Sequence, residues 1–451
     1  MKDCIEDKWD WSKTHPVIHL SFDAITMREI GLDVAIKLRL KELAEEFVIT
    51  LVNEHYALQF QELVVALRKK VGEVVILVDE YDKPIIQYLE YDQLAKAREN
   101  QAIMKDFYSV LKNSGQDLRF LFVTGVSKFS KVSIFSDLNH LGDITMHKDY
   151  STLTGYTQEE LEDSFGDYLE DVQNNLQIDR SRLIETMKWW YNGFSWDGVT
   201  KVYNPFGVLR FLSNQRFDNY WFSTGTPTFL LSQMKKHELY DVENVAADST
   251  VLDNSDIENI DLIALLFQTG YLTVKRLDLM TGEMVLDYPN KEVRESLYRF
   301  LLNDLARTNP VNSAGNSARH LSTAFAHGNL DKVRKIINSL LAGAPYETYQ
   351  HSSEGLYHGL IYFIFKLLGI STQCEVHSSE GRADSIVETK DHVYIFEFKF
   401  NKTAEEAVAQ IKKNGYARPY QALEKKVVGI GVNFELAAKS ITGWMVEELS
   451  L

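Results

Sequence analysis

The sequence predicts an α/β protein built in series: a parallel sheet first, a mostly helical region next, and a second α/β unit at the carboxyl end. Three observations carry that prediction. Continuous aliphatic runs such as Val74-Val75-Ile76-Leu77-Val78 alternate with helix-length segments over residues 1–150, the pattern of strands buried on both faces of a parallel sheet. Helix-capping signals crowd residues 151–310. Within residues 318–451, the apolar strand Val393-Tyr394-Ile395-Phe396 runs straight into Glu397 and Lys399, and charge on a buried strand needs a partner. A chain of 451 residues is long enough for two or three domains.

In residues 1–150 the pattern predicts a strand over 17–22, helical material over 34–70, a strand over 74–78, a helix over 97–111 and a strand over 119–124. The second strand ends in Asp79-Glu80, a Walker B pattern. There Asp79 would help hold Mg²⁺ and Glu80 would polarise the attacking water. Thr124, ending the next strand, sits where such ATPases place a polar sensor. An acid at the end of a parallel strand is also common in any α/β fold. No glycine in the chain belongs to a GxxxxGK motif followed by Ser or Thr; residues 125–131 have the lysines without the second glycine. Without that loop, no nest of N–H groups and no lysine cradles the β- and γ-phosphates. The region reads as a truncated P-loop NTPase-like sheet, expected to bind ATP only if a missing N-terminal segment supplies the loop.

The middle region is mostly helical. Thr157-Gln158-Glu159-Glu160 is a capping box, and Asn204-Pro205 and Thr226-Pro227 each place an N-cap before a proline. Gly193 follows a helix through Trp189-Trp190. Helix 260–268, strand 271–275, turn Thr281-Gly282, strand 284–288 and helix 291–305 make a helix–hairpin–helix, compatible with a winged-helix arrangement. The rings of Trp189, Trp190, Tyr191, Trp196, Tyr203 and Trp221 could stack on bases, but core packing is the commoner use of such residues. The polar stretch 308–317 is the candidate linker.

The carboxyl-terminal unit carries the chemistry. Strand side chains alternate faces, so Val393, Ile395, Glu397 and Lys399 share one side, with Phe396, Phe398 and Phe400 on the other. Asp384-Ser385-Ile386-Val387-Glu388 is the partner strand and Thr389-Lys390-Asp391-His392 the turn. A turn centred between Lys390 and Asp391 pairs 388 with 393, 386 with 395 and 384 with 397. Asp384 and Glu397 then face each other about 5 Å apart. Carboxylates so placed repel unless one is protonated or a cation lies between them, and oxygen ligands suit Mg²⁺. The same spacing also arises at a solvated sheet edge. Thr403 as N-cap, with Glu406 three residues on as a capping box, opens a helix over 403–414; Ala407 and Ile411 line one side of it and Gln410 lies close by. Glu354 begins the apolar helix that precedes the hairpin.

Glu354, Asp384, Glu397, Lys399 and Gln410, in that order of helix, strand, strand and helix, resemble the PD-(D/E)XK nuclease superfamily. The resemblance implies that Asp384 and Glu397 bind Mg²⁺ or Mn²⁺, that Lys399 positions the attacking water, and that Glu354 and Gln410 support the site. The motif's proline is absent, since Arg382-Ala383 precede Asp384. Along most of its length the chain is similar to a large microbial family joining an AAA-ATPase-like domain to such a nuclease. The segments that carry this likeness are Val78-Asp79-Glu80-Tyr81-Asp82-Lys83-Pro84, Thr124-Gly125-Val126-Ser127-Lys128-Phe129-Ser130, Trp190-Tyr191-Asn192-Gly193-Phe194, Tyr203-Asn204-Pro205-Phe206 and Tyr288-Pro289-Asn290. Members carry the phosphate loop in a segment preceding the part where this chain begins, so an N-terminal truncation is expected.

Composition bounds the function. Cys4 and Cys374 form no disulfide framework or zinc motif. No signal peptide and no 20-residue apolar span is present, so a cytoplasmic protein without membrane contact is expected. The net charge of −16 argues against general coating of nucleic acid. The deficit lies wholly in residues 1–310, with 33 Lys and Arg against 49 Asp and Glu, while residues 311–451 hold 15 of each. Lys402, Lys412, Lys413, Arg418, Lys425 and Lys426 are either a phosphate-facing set or a solvated surface. The expected function is Mg²⁺-dependent hydrolysis of DNA phosphodiesters, with nothing in the residues to separate DNA from RNA or to set the oligomeric state. The alternative is a non-catalytic scaffold derived from an ATPase–nuclease.

Overall fold

Strands β1 (Val17–Ser21), β2 (Val74–Asp79) and β3 (Leu118–Val123) form a sheet in that order, parallel throughout. The computed structural model describes all residues except 1–9, 24–26, 90–92, 128–133, 136–137, 139–140, 222–227, 238, 240, 249–251, 253–259, 307–313, 343–361, 363, 367–370, 379–380, 421–422, 436–437, 439 and 450–451. Parallel strands need long crossovers. Helices α1 (Leu32–Glu46) and α2 (Tyr56–Lys70) supply the first, and α3 (Leu94–Ser109) the second. Ile18, Leu20, Ile76 and Val78 are buried with Leu40, Phe60, Leu63 and Phe107 in one core. The expected helical stretch over 34–70 is two helices because the chain turns at Val48, whose φ of 52° is left-handed. A β-branched residue resists that conformation; Lys70 Nζ holds it there, donating to the carbonyls of Phe47 and Val48.

The segments after β2 and β3 interlock. Asp82, fully buried, accepts the N–H groups of Val126 and Ser127 and the Ser127 hydroxyl. A Cβ on Gly125 would stand 2.6 Å from the Tyr81 ring, so only glycine lets the two segments meet.

The middle region builds a second core. Helices α4 (Gln158–Ser164), α5 (Gly166–Leu176), α6 (Arg180–Tyr191) and α7 (Pro205–Asn214) enclose Leu161, Leu169, Leu183, Met187 and Phe211. The capping box at Thr157 is complete, and Asn204 caps α7 by accepting the Gly207 N–H. Thr226-Pro227 lies outside the described residues. Short strands β4 (Asn192–Phe194) and β5 (Val202–Tyr203) pair, and Gly193 adopts φ 116° where a Cβ would meet the Pro289 carbonyl at 2.2 Å. Tyr191 and Tyr203 are core residues, whereas Trp189 is 56% exposed beneath the Lys291 ammonium.

Helix α8 (Thr228–Lys236) precedes β6 (Val245–Asp248), α9 (Leu262–Gln268), β7 (Thr273–Leu277), β8 (Glu283–Asp287) and α10 (Lys291–Ala306). The helix–hairpin–helix is present, with β6 added on the outer side of β8. Four half-exposed residues, Val-Ala-Ala-Asp, give β6 too little apolar pattern to read from sequence.

Helices α11 (Ala314–Ala326) and α12 (Leu330–Ala342) lead to the last sheet, β9 (Ser371–Ser378), β10 (Gly381–Glu388), β11 (His392–Phe400), β12 (Lys426–Glu435) and β13 (Ser440–Glu448). The strands lie side by side in reverse chain order. All neighbours are antiparallel except β11 and β12, which are parallel and joined through α13 (Ala404–Lys413). Of the expected linker, 314–317 already belongs to α11 and the residues before it lie outside the described set. Among the described residues no helix is long and apolar enough to cross a membrane.

Candidate active site

The alternation along β11 sorts its side chains between two environments. Tyr394 and Phe396 face α11, where Phe325 lies 5.2 Å from the Tyr394 ring, and Phe398 continues that face against Phe365. Val393 and Ile395 face α13 and pack with Ile411 and Tyr416. Glu397 and Lys399 continue that second face beyond its apolar part. The strand is therefore buried on both sides, and its two charged groups enter the protein rather than solvent.

The hairpin sets their partner. The Thr389 N–H donates to the His392 carbonyl at 2.8 Å, closing the turn, and pairs Glu388–Val393, Ile386–Ile395 and Ser385–Phe396 follow. Asp384 and Glu397 are next in that register. Asp384 Oδ2 accepts the Phe398 N–H at 2.7 Å, so its carboxylate ties directly to β11.

On the other side of β11, Glu397 is level with Gly431 and Lys399 with Asn433 of β12. A Cβ on Gly431 would lie 2.1 Å from the Ala404 carbonyl oxygen and 2.8 Å from Val408 Cγ2. The missing side chain is what lets the first turn of α13 rest on the sheet. Thr403 caps that turn by accepting the Glu406 N–H, the first half of the expected capping box. Asn433 Oδ1 receives the Lys402 N–H and so fixes the loop into the helix. Gln410 is thereby delivered to the site: its Oε1 accepts from Lys399 Nζ at 2.8 Å, and the same Nζ pairs with Glu397 Oε1 at 2.8 Å. Sequence reasoning missed Gly431 and Asn433. A lone glycine in an apolar strand is the signal that was available for the first.

Glu397 is 2% exposed, and its Oε2 is buried with no hydrogen-bond partner. Burial, and then the Asp384 charge, push its carboxyl up to about 7, against the pull of Lys399 and Gln410. A buried carboxylate oxygen left bare is costly. A divalent ion shared with Asp384 would satisfy it and screen the repulsion, so the donor set fits a hard cation. Among the described residues no cluster of three or more His, Cys, Asp or Glu accompanies the pair. Mg²⁺ tolerates such a site because it keeps several waters when held by one or two carboxylates. Glu354 lies outside the described residues.

The cationic residues beyond the site divide. Lys425 bonds Glu388 and the Thr389 carbonyl, and Lys426 stands level with His392 in the β11–β12 register. Both mark the turn end of the hairpin, about 13 Å along the strand from Asp384. Lys412 is paired with Glu447. Lys402, exposed just after β11, is the one adjoining Lys399.

In the first sheet, Asp79, Glu80 and Thr124 do gather at the carboxyl ends of the strands, where open α/β sheets bind ligands. The Thr124 hydroxyl donates to Asp79 Oδ1 at 2.6 Å. Glu80 takes φ 52°, and burial raises its carboxyl. Lys83 Nζ lies 3.0 Å from Asp23 Oδ1 and 3.6 Å from Glu80 Oε2, giving Lys83 a partner and adding Asp23, which sequence reasoning passed over.

A parallel sheet ending in Asp79-Glu80 and a carboxylate–carboxylate–lysine hairpin define an ATPase-like module and a nuclease-type module on one chain. Comparison with known proteins agrees: residues 3–135 match the family described as predicted AAA-ATPase, and residues 352–444 match the PD-(D/E)XK nuclease superfamily. The chain belongs to the family that joins these two domains. It is 34% identical over 459 residues to a protein of Azotobacter chroococcum mcd 1, described as an uncharacterized protein in the vnfD 5' region, covering 99% of this chain and 86% of that relative. No solved structure matches.

Proposed function

We propose that this protein hydrolyses nucleic-acid phosphodiester bonds with Mg²⁺ or Mn²⁺ at Asp384 and Glu397, DNA being the expected substrate. The observation that carries the proposal is the clamp on Lys399. Its ammonium has three N–H donors; Glu397 Oε1 and Gln410 Oε1 take two. The third is left for a water or a non-bridging phosphate oxygen. When bound, the metal lowers the pKa of a water and neutralises charge on the phosphate. Asp384 and Glu397 would hold it through carboxylate oxygens. Lys399 then adds a fixed cation in a water-poor site, where such a charge is worth far more than in solvent. Gln410 keeps that cation in place without competing for its charge. Glu354 is the further supporting group that the family pattern implies. Two carboxylates, one buried oxygen without a hydrogen-bond partner and a clamped lysine favour this reading over a scaffold, which has no use for that bare oxygen.

For the first module we propose that Asp79, Glu80 and Thr124 line a nucleotide site that is incomplete within residues 1–451, which carry no phosphate loop. Titration with Mg·ATP should show no micromolar binding by this chain.

The nuclease reading is tested with variants purified in parallel. Lys399→Ala should lose roughly 10²–10³ in cleavage rate. Asp384→Asn should abolish the Mn²⁺-dependent rise in melting temperature that binding to the folded state produces. Wild-type rates in both Lys399→Ala and Glu397→Ala would overturn it.

A further inference from the structure

A second buried polar cluster lies between the middle region and the last sheet. Glu243, in the turn before β6, uses both carboxylate oxygens: Oε1 accepts the Tyr298 hydroxyl of α10 at 2.7 Å, and Oε2 is paired with Lys366 Nζ. Two residues earlier, Asp241 Oδ1 accepts the Tyr362 hydroxyl at 3.0 Å. The rings of Tyr298 and Tyr362 meet edge to face at 6.1 Å. Side chains of Glu243 and Lys366 are 20% and 15% exposed. Burial opposes the Glu243 charge, yet Lys366 and Tyr298 still hold its carboxyl below the usual range.

Such a pair is a poor way to gain stability. Desolvating two charges costs about what their attraction returns, and apolar replacements of the same size are often as stable. In some proteins a pair kept at that cost fixes a single register, the best-attested use of buried polar groups. Here that register reaches the catalytic strand. Phe365, next to Lys366 and fully buried, lies 4.9 Å from the Phe396 ring and 6.2 Å from that of Phe398. These two residues flank Glu397, and the Phe398 N–H is the donor to Asp384.

We infer that Glu243 and Lys366, with Tyr362 and Asp241, are positioning residues for the metal-binding carboxylates, setting β11 through Phe365 and so coupling the middle region to the nuclease site. The cluster touches no reacting atom. It rests on the nuclease reading for its catalytic meaning, but the strand it positions can be measured without substrate.

The test is the full-length protein carrying Glu243→Leu with Lys366→Met, beside Tyr362→Phe, which removes one hydroxyl and leaves the ring. Amide exchange over 392–400, melting temperature, kcat and KM are measured for each. The paired variant should melt within a few degrees of wild type. Exchange at Phe396, Glu397 and Phe398 should rise about tenfold, while β2 stays unchanged. A misplacement on the order of 1 Å costs up to about 10²-fold in rate, so kcat should fall at least about fivefold with KM within about twofold. Tyr362→Phe should shift exchange in the same direction, and it decides the matter if the paired variant fails to fold. Wild-type exchange over 392–400 in every folded variant would overturn the coupling. A wild type that cleaves nothing would sink the nuclease reading alone, since the exchange measurement stands without it.

Discussion

Gly431→Ala should damage stability and activity together, and the geometry sets by how much. The new methyl would be placed 2.1 Å from the Ala404 carbonyl oxygen. An ordinary carbon–oxygen contact is about 3.3 Å, so the first turn of α13 must retreat by roughly 1.2 Å. The obstacle is backbone, which cannot rotate aside as a side chain would. Overpacking of this kind costs about 1–3 kcal/mol. The same retreat would stretch the 2.8 Å bond between Lys399 and Gln410 to about 4 Å, beyond hydrogen-bond range. Losing a bond to a charged group adds about 2 kcal/mol. A combined loss near 4 kcal/mol corresponds to a fall of roughly 10 °C in melting temperature for a domain of this size. Differential scanning fluorimetry reads the first effect and a DNA cleavage assay the second. Gln410→Ala separates them, because it frees Lys399 without moving the helix: it should lower the rate while costing only the bond's share, about 2 kcal/mol, about half the fall in melting temperature of Gly431→Ala. If Gly431→Ala melts within about 2 °C of wild type and cleaves at the same rate, the close seat of α13 is not what delivers Gln410.

Other consequences follow from single groups. Glu292, on the first turn of α10, is fully buried; its Oε1 accepts the N–H groups of Tyr220 and Trp221, and its Oε2 has no partner. Burial pushes its carboxyl from the ordinary 4.5 up to about 7, against those two N–H groups. The folded state then holds this proton more tightly than the unfolded chain. Its contribution is complete below about pH 4.5 and is lost as pH rises to about 7, a change near 3 kcal/mol. Urea midpoints across that window should fall with pH, and Glu292→Gln should remove that part of the slope. Asp82→Ala would take the acceptor from the buried Ser127 N–H and hydroxyl, and from the N–H of the exposed Val126. Unsatisfied buried donors cost about 1–3 kcal/mol each; a drop of at least about 2 kcal/mol in urea unfolding is expected, with new proteolytic sensitivity near Val126.

The strand β11 shows how far local pattern reaches. Its period of two told which residues share a face, and the four-residue turn at Thr389–His392 fixed the register that brings Asp384 beside Glu397. Both are short-range rules of backbone geometry, so they are written in the sequence. The strand that ends at Asp79 was legible for the same reason, as were the N-caps at Thr157, Asn204 and Thr403. Val245–Asp248 was not, because a strand of four half-exposed residues is defined by its neighbour β8 rather than by its own composition.

Sequence by itself determined the order of α/β modules, the two acidic motifs and the face on which Glu397 and Lys399 lie. The tertiary structure decided how those groups are held. Gly431 admits α13, α13 brings Gln410 to Lys399, and Asp82 ties the segment after β3 to that after β2. Glu243 and Lys366, 123 residues apart, became partners only through packing. Periodicity and capping act within a few residues and leave a local signature. Contacts between distant segments depend on how whole elements stack, which no short stretch of sequence records.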